Sequence, residues 1–184
     1  AFYKTFETND LRRKLIITEY TDQSGKLIKL LEDENGNPLD NARSFKYWPD
    51  PNAVSENNGN DIVYVRYADI LLSMAEALNE KTGPSIENIS LINEVRLRAK
   101  ASGVRTTDFS SKEELRDFIL AERGREFFSE GLRREDLIRH GKFISGAVAR
   151  GKDAKPHHVL FPIPQRQMEA NANLVQNEGY ASLN

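Results

Sequence analysis

The chain contains no cysteine, which excludes disulfides, thiolate metal sites and cysteine nucleophiles together. The compartment stays open, because many exported proteins also lack this residue. No stretch approaches the roughly 18 consecutive apolar residues of a membrane span. The opening AFYKTFETND has neither the basic nor the apolar region of a signal peptide, nor an initiator methionine. It reads as the interior of a folded region, so the expectation is a piece of a larger protein with any export signal upstream. An excess of one charge is missing too: 26 basic against 28 acidic residues leave a net charge of -2. Such a chain has no field to collect polyanions, which disfavours nucleic acid as a partner.

What is present suits a folded domain. With 184 residues, 39% hydrophobic and 29% charged, the chain sits near globular averages and can bury a self-sufficient core. Residues 1–61 read as a hairpin and loops: RKLIITEY and KLIKLLED flank the turn TDQSG, NGNPLD turns the chain toward RSFKYW, and PDPNAVSENNGND is an exposed polar loop. Residues 62–144 read as a helical scaffold. Tyr64, Ala68, Leu71, Ala75 and Leu78 recur at steps of three and four up to TGP, and Ile89, Ile92, Val95 and Ala99 mark a second helix between Pro84 and Gly103. A third helix is capped by Ser110 or Ser111, with Glu113 or Glu114 completing a capping box, and runs to about Ser129. LRREDLIRH is a shorter fourth helix closed by Gly141. Residues 145–184 form an irregular C-terminal segment: a loop from Ser145 to Lys155, the extended run HHVLFPIP, and a short helix from Pro164 to about Ala170. The fold class is mainly α.

The chemistry concentrates in Glu122–Lys142, ERGREFFSEGLRREDLIRHGK, where 21 positions hold six basic and five acidic residues. On a helix, the apolar stripe of Leu115, Phe118 and Ile119 continues into Glu122 and Glu126. Two buried carboxylates at this spacing repel and need cations, for which Arg96, Arg98, Arg123, Arg125 and Arg133 are the candidates. A general acid and base pair would need one raised pKa and an open cleft, whereas surrounding arginines lower both values. The pattern therefore points to internal ion pairs. A second polar stripe, Arg66, Asp69, Ser73, Glu76 and Glu80, reads as a solvated helix face. No metal is expected: His157 and His158 would point to opposite faces of a strand, and Asp50, Glu56 and Asp61 have no regular ligand spacing. Tyr47 and Trp48, with Asn52 and Asn57 in the adjacent loop, combine flat apolar rings and amides, the mixture that suits a sugar ring.

Four ordered segments, VRYADILLSMAEALNE, INEVRLRAKA, ILAERGREFFSEGLRREDLIRHG and LFPIPQRQMEANANLVQNEGY, resemble the successive C-terminal signatures of the SusD/RagB family of outer-membrane nutrient-binding lipoproteins. NDLRRK, Asn9 to Lys14, resembles the family's upstream Asp-x-Arg segment. The resemblance implies that residues 1–184 form the C-terminal domain of a longer protein, with the first two helices as its last tetratricopeptide-like pair. It also implies cell-surface glycan binding at the outer membrane, delivery to a SusC-like TonB-dependent transporter, a lipid anchor outside this chain, and neither cofactor nor enzymatic activity. Glu122, Arg123, Glu126, Gly131, Arg133 and Asp136 match a family segment that resembles a structural ion-pair core. ERGREFF departs at Gly124 and Phe127, where relatives more often carry arginine and leucine. The alternative is a helical-repeat adaptor that mainly binds the transporter or a peptide.

Overall fold

The computed structural model describes residues 2–39, 41–55 and 59–181. It is mostly helical and divides into two compact units, Ala1–Gly131 and Leu132–Asn184. Asn57 lies outside the described residues.

In the first unit, two short antiparallel pairs precede the helices. Strand β1 (Ile16–Ile17) pairs with β4 (Arg43–Ser44), and β2 (Glu19–Thr21) pairs with β3 (Leu27–Lys29) in the expected hairpin. Asp22 closes that hairpin by accepting hydrogen bonds from the Ser24 and Lys26 N–H groups. The scaffold follows as α1 (Tyr67–Thr82), α2 (Ile86–Arg98) and α3 (Lys112–Glu126). Helix α1 ends at Gly83, whose φ of 75° and ψ of -164° belong to a region that only glycine adopts readily. Ser85 and Asn88 then start α2 with a reciprocal capping box, so the connection is short and the two helices pack as a hairpin. Helix α3 packs on α1. The core they share is Leu71, Leu72 and Ala75 from α1, Ile89, Ile92 and Val95 from α2, and Leu115, Ile119 and Leu120 from α3. Tyr64 was expected on the first helix, yet α1 begins three residues later and Tyr64 is 91% exposed. Arg66, held in extended backbone as the N-cap, directs its guanidinium into ion pairs instead.

The second unit holds α4 (Arg133–Arg139), α5 (Phe143–Ala149) and α6 (Gln165–Ala170). Helix α5 falls partly where the sequence suggests a loop. Its single glycine, Gly146, costs about 1 kcal/mol relative to alanine, and α5 packs on α4 with Phe143 5.2 Å from the Arg134 guanidinium. The HHVLFPIP run is likewise not uniformly extended. Pro156 opens a 3₁₀ turn, Pro156–Val159, because its fixed φ suits a first turn and the His158 imidazole accepts the Lys155 N–H at 3.2 Å. Arg134 also lies 4.1 Å from the Phe161 ring and donates to the His158 and Val159 carbonyls.

Between the two candidate caps of α3, the structure selects Ser111, whose hydroxyl accepts the Glu114 N–H at 3.1 Å. Ser110 instead donates its hydroxyl to the Glu114 carboxylate. Ser111→Ala is expected to cost about 1 kcal/mol of stability, and Ser110→Ala less. Denaturant unfolding with an unchanged slope checks the ranking.

Candidate functional site

The charged stretch folds into a buried network. Glu122 and Glu126 lie one turn apart on α3, 0% and 2% exposed. Glu122 accepts from Arg12 at 2.7 Å, Arg96 at 2.6 Å and Arg125 at 2.8 Å. Glu126 accepts from Arg12 at 2.8 Å, Arg66 at 2.6 Å and Arg98 at 2.6 Å. Arg12 spans both carboxylates, and Asp10 holds its other edge at 2.7 Å. Burial pushes the Glu122 carboxyl up, but the charges of Arg125, Arg12 and Arg96 outweigh it and leave the group below the usual glutamate range. A carboxylate so fixed and closed to solvent is the opposite of a general acid.

The candidate ion-pair residues are distributed as follows. Arg96 lies in the network and also meets Glu7 at 2.5 Å. Arg123 pairs with Asp69 at 2.8 Å and donates to Ser73 at 3.1 Å. Phe127, 2% exposed, lies between the guanidiniums of Arg66 and Arg123, at 4.6 and 5.0 Å. Arg133 and Asp136 belong to the second unit: Arg133 heads α4 and is exposed, whereas Asp136 is buried and pairs with Arg139 at 2.9 Å. The polar stripe of α1 is only partly a solvated face: Ser73 and Glu80 are exposed, whereas Arg66, Asp69 and Glu76 are half-buried, and most of its charges are ion-paired. Arg66 binds Glu126 and Glu130, Asp69 binds Arg123, and Glu80 binds Arg116 at 2.5 Å. Hydrogen bonding from Arg116 holds the Glu80 carboxyl at about 2. Helical periodicity marks a polar stripe but cannot say that α3 faces it with arginines.

Arg12 is the residue that the charge pattern alone misses. Its signal was the Asp-x-Arg spacing: Asp10 accepts the Arg12 N–H at 2.9 Å, caps the 3₁₀ turn Leu11–Leu15 and aims the guanidinium inward. The turn is tied to the end of α2, since the Leu11 N–H donates to the Ala99 carbonyl at 2.8 Å and the Asn9 amide to Lys100.

The aromatic segment hangs from this network through Lys46, whose ammonium reaches the Glu130 carboxylate and the Glu126 carbonyl. Two residues on, Trp48 is 68% exposed and meets Phe45 edge-on at 5.6 Å. Tyr47 is 39% exposed beside it. The loop closes when Asp50 accepts the Asn52 and Gly59 N–H groups at 2.8 and 2.7 Å, and the Asn60 amide donates to the Trp48 carbonyl at 2.9 Å. The exposed Asn52 side chain makes no hydrogen bond among the described residues. Exposed rings and an exposed amide therefore lie in the same segment. No group of three or more histidines and acidic residues among the described residues could hold a metal ion.

The SusD family model matches residues 1–180. The starch-binding protein SusD of Bacteroides thetaiotaomicron is 34% identical over 128 residues, covering 65% of this chain and 22% of that protein. The SusD-like protein P2 of Formosa agariphila is 30% identical over 198 aligned residues, covering 97% and 39%. Among solved structures, a SusD homolog from Bacteroides thetaiotaomicron superposes with a TM-score of 0.64 at 27% identity, covering 94% of this chain and 41% of that one. The surface glycan-binding protein A of Bacteroides uniformis superposes with a TM-score of 0.66 at 26% identity, covering 96% and 39%. The chain thus spans well under half the length of these relatives.

Glu122→Gln keeps the shape and removes one charge among three guanidiniums. It is expected to destabilise by on the order of 3 kcal/mol. The pH dependence follows from the lowered pKa. Below the ordinary glutamate range the unfolded chain takes up the proton first, so the stabilisation is fully present at neutral pH and is lost as pH falls through the depressed folded value. Thermal unfolding followed from pH 7 to about pH 3 checks both points: the wild type loses stability on acidification, and Glu122→Gln loses less.

Proposed function

The chain belongs to the SusD family, and we propose that it forms part of a cell-surface protein that binds glycan, a starch-like or other polysaccharide or oligosaccharide. The protein delivers its ligand to a SusC-like TonB-dependent transporter at the outer membrane, held there by a lipid anchor outside this chain. No helix among the described residues is long and apolar enough to cross a membrane. The observation that carries the binding role is the exposed Trp48 beside Tyr47, fixed by the Phe45 contact and the Asp50 loop. A flat ring that is already ordered loses little entropy when a pyranose face stacks on it, and amides at its rim match hydroxyls. The relatives' names support the ligand class: one is called starch-binding, another surface glycan-binding. In this reading Glu122 and Glu126 are structural and the protein performs no catalysis.

A second reading, an adaptor that binds the transporter or a peptide, is favoured by a different surface. Tyr67, Ile70 and Met74 follow helical spacing on α1 and all are exposed. The two readings separate on Trp48. Glycans selected by screening the full-length protein are titrated against wild type and Trp48→Ala by calorimetry. A loss of about 1 to 3 kcal/mol of binding is expected, with an unchanged helical circular-dichroism signal. Equal affinities at equal stability would return the function to the helical surface.

A further inference from the structure

The first unit contains ten arginines, Arg12, Arg13, Arg43, Arg66, Arg96, Arg98, Arg105, Arg116, Arg123 and Arg125, and eight of them lie within salt-bridge distance of a carboxylate. Arg13 and Arg43 have no carboxylate partner among the described residues. In a unit that pairs guanidiniums so consistently, the two exceptions are informative: Arg43 lines a cavity, and Arg13 stacks on Tyr3, another residue of its lining. The space, about 230 Å³, has among its lining the aromatic Phe2, Tyr3 and Phe128 and the polar Arg43, Ser44 and Ser129. Arg43 spends one nitrogen on the Asn41 carbonyl at 2.9 Å, and its side chain makes no further hydrogen bond among the described residues. Arg13 stacks on Tyr3 at 4.5 Å, and its buried Nε has no hydrogen-bond partner among the described residues.

We propose that this cavity binds the carboxylate-bearing ring of an acidic sugar, a uronic acid unit, with Arg43 as its anion contact. The inference rests on the glycan reading above for the kind of ligand, but concerns a separate place in the chain. Each wall supplies one need of such a ring. The rings of Phe2 and Phe128, 6.0 Å apart and tilted by 60°, offer apolar surface for its C–H groups, although the Lys46 ammonium lies over one face of Phe128 at 4.7 Å. The Ser44 and Ser129 hydroxyls, bonded to each other at 2.8 Å, offer exchangeable donors and acceptors to its hydroxyls. Ser129 holds a φ of 63°, unusual for a residue with a side chain, and backbone strain of this kind concentrates at binding sites. A neutral sugar would leave the guanidinium unmatched, whereas a carboxylate can take two parallel N–H bonds from Arg43. Arg13 behind Tyr3 adds positive potential without contact.

The test uses the full-length protein that contains this chain, titrated with methyl glucuronide and methyl glucoside, which differ only in the carboxylate. The glucuronide is expected to bind about tenfold tighter, with a preference that shrinks as salt rises. Arg43→Gln is expected to abolish the preference; because Arg43 is exposed on a short strand, the fold should persist, as circular dichroism checks. Trp48→Ala should leave the preference intact. Equal binding of the two sugars, or a preference that survives Arg43→Gln, overturns the inference. If Trp48-dependent binding of neutral glycan remains in that case, the cavity assignment fails alone; if the glucuronide preference holds while neutral glycan binding is insensitive to Trp48, the platform assignment fails alone.

Discussion

Two carboxylates on the buried face of one helix set the terms for the first unit. Glu122 and Glu126 cannot be desolvated without compensation, and α3 supplies to Glu122 only Arg125 from its own sequence. The remaining cations come from elsewhere: Arg12 from the N-terminal turn, Arg66 from the start of α1, Arg96 and Arg98 from the end of α2. Arg12 lies 110 and 114 residues from its two partners. Each of these segments must be in place before the charges are satisfied, so the network penalises partial structures more than an apolar core of equal size would. Hydrophobic packing of α1, α2 and α3 has no such address, since leucine and isoleucine accept many neighbours. The ion pairs thus specify an arrangement that the core stabilises.

The same network positions the candidate sites. Lys46 loses solvation as it enters the cluster, which pushes its ammonium down, and its bonds to Glu130 and to the Glu126 carbonyl fix the chain just before Tyr47 and Trp48. Ser44 is held to Ser129 beyond the end of α3. The strand that rims the cavity and the loop that displays the aromatic platform are therefore fastened at two points to the end of α3 and the residues that follow it. Loops carry recognition best when such a scaffold fixes them, because less ordering entropy remains to be lost on binding.

What could be read from the sequence follows the range of each interaction. Helices α1, α2, α3 and α4 were legible because their periodicity and caps are local, as Ser85, Ser111 and Gly83 illustrate. The burial of Glu122 and Glu126 was legible for the same reason, since they extend the stripe of Leu115 and Ile119. Their partners were only partly so. Arg96, Arg98 and Arg125 could be named as candidates, but Arg12 is brought in by the capping turn at Asp10, and no charge count points to it. The polar stripe of α1 was partly misjudged because its counter-charges sit on α3, and α5 was read as a loop because glycine and serine conceal a helix whose packing partner is Phe143 against Arg134. The aromatic loop was visible as chemistry, but whether Trp48 covers the core or faces solvent depends on tertiary placement.

That placement bears on how the protein divides labour between its charges and its rings. In the first unit acids absorb most guanidiniums, so the electrostatic field that reaches solvent is far smaller than the count of arginines suggests. A guanidinium with no carboxylate partner among the described residues, such as Arg43, then stands out against a background in which acids exceed bases. Stacking on Trp48, by contrast, does not depend on ligand charge and tolerates any pyranose that presents a flat C–H face. A surface built from both can hold a chain of sugars broadly through the ring and discriminate among them through the cation. Discrimination of that sort needs the buried acids as much as the exposed arginine, since it is Glu122, Glu126 and Glu130 that keep the other cations occupied.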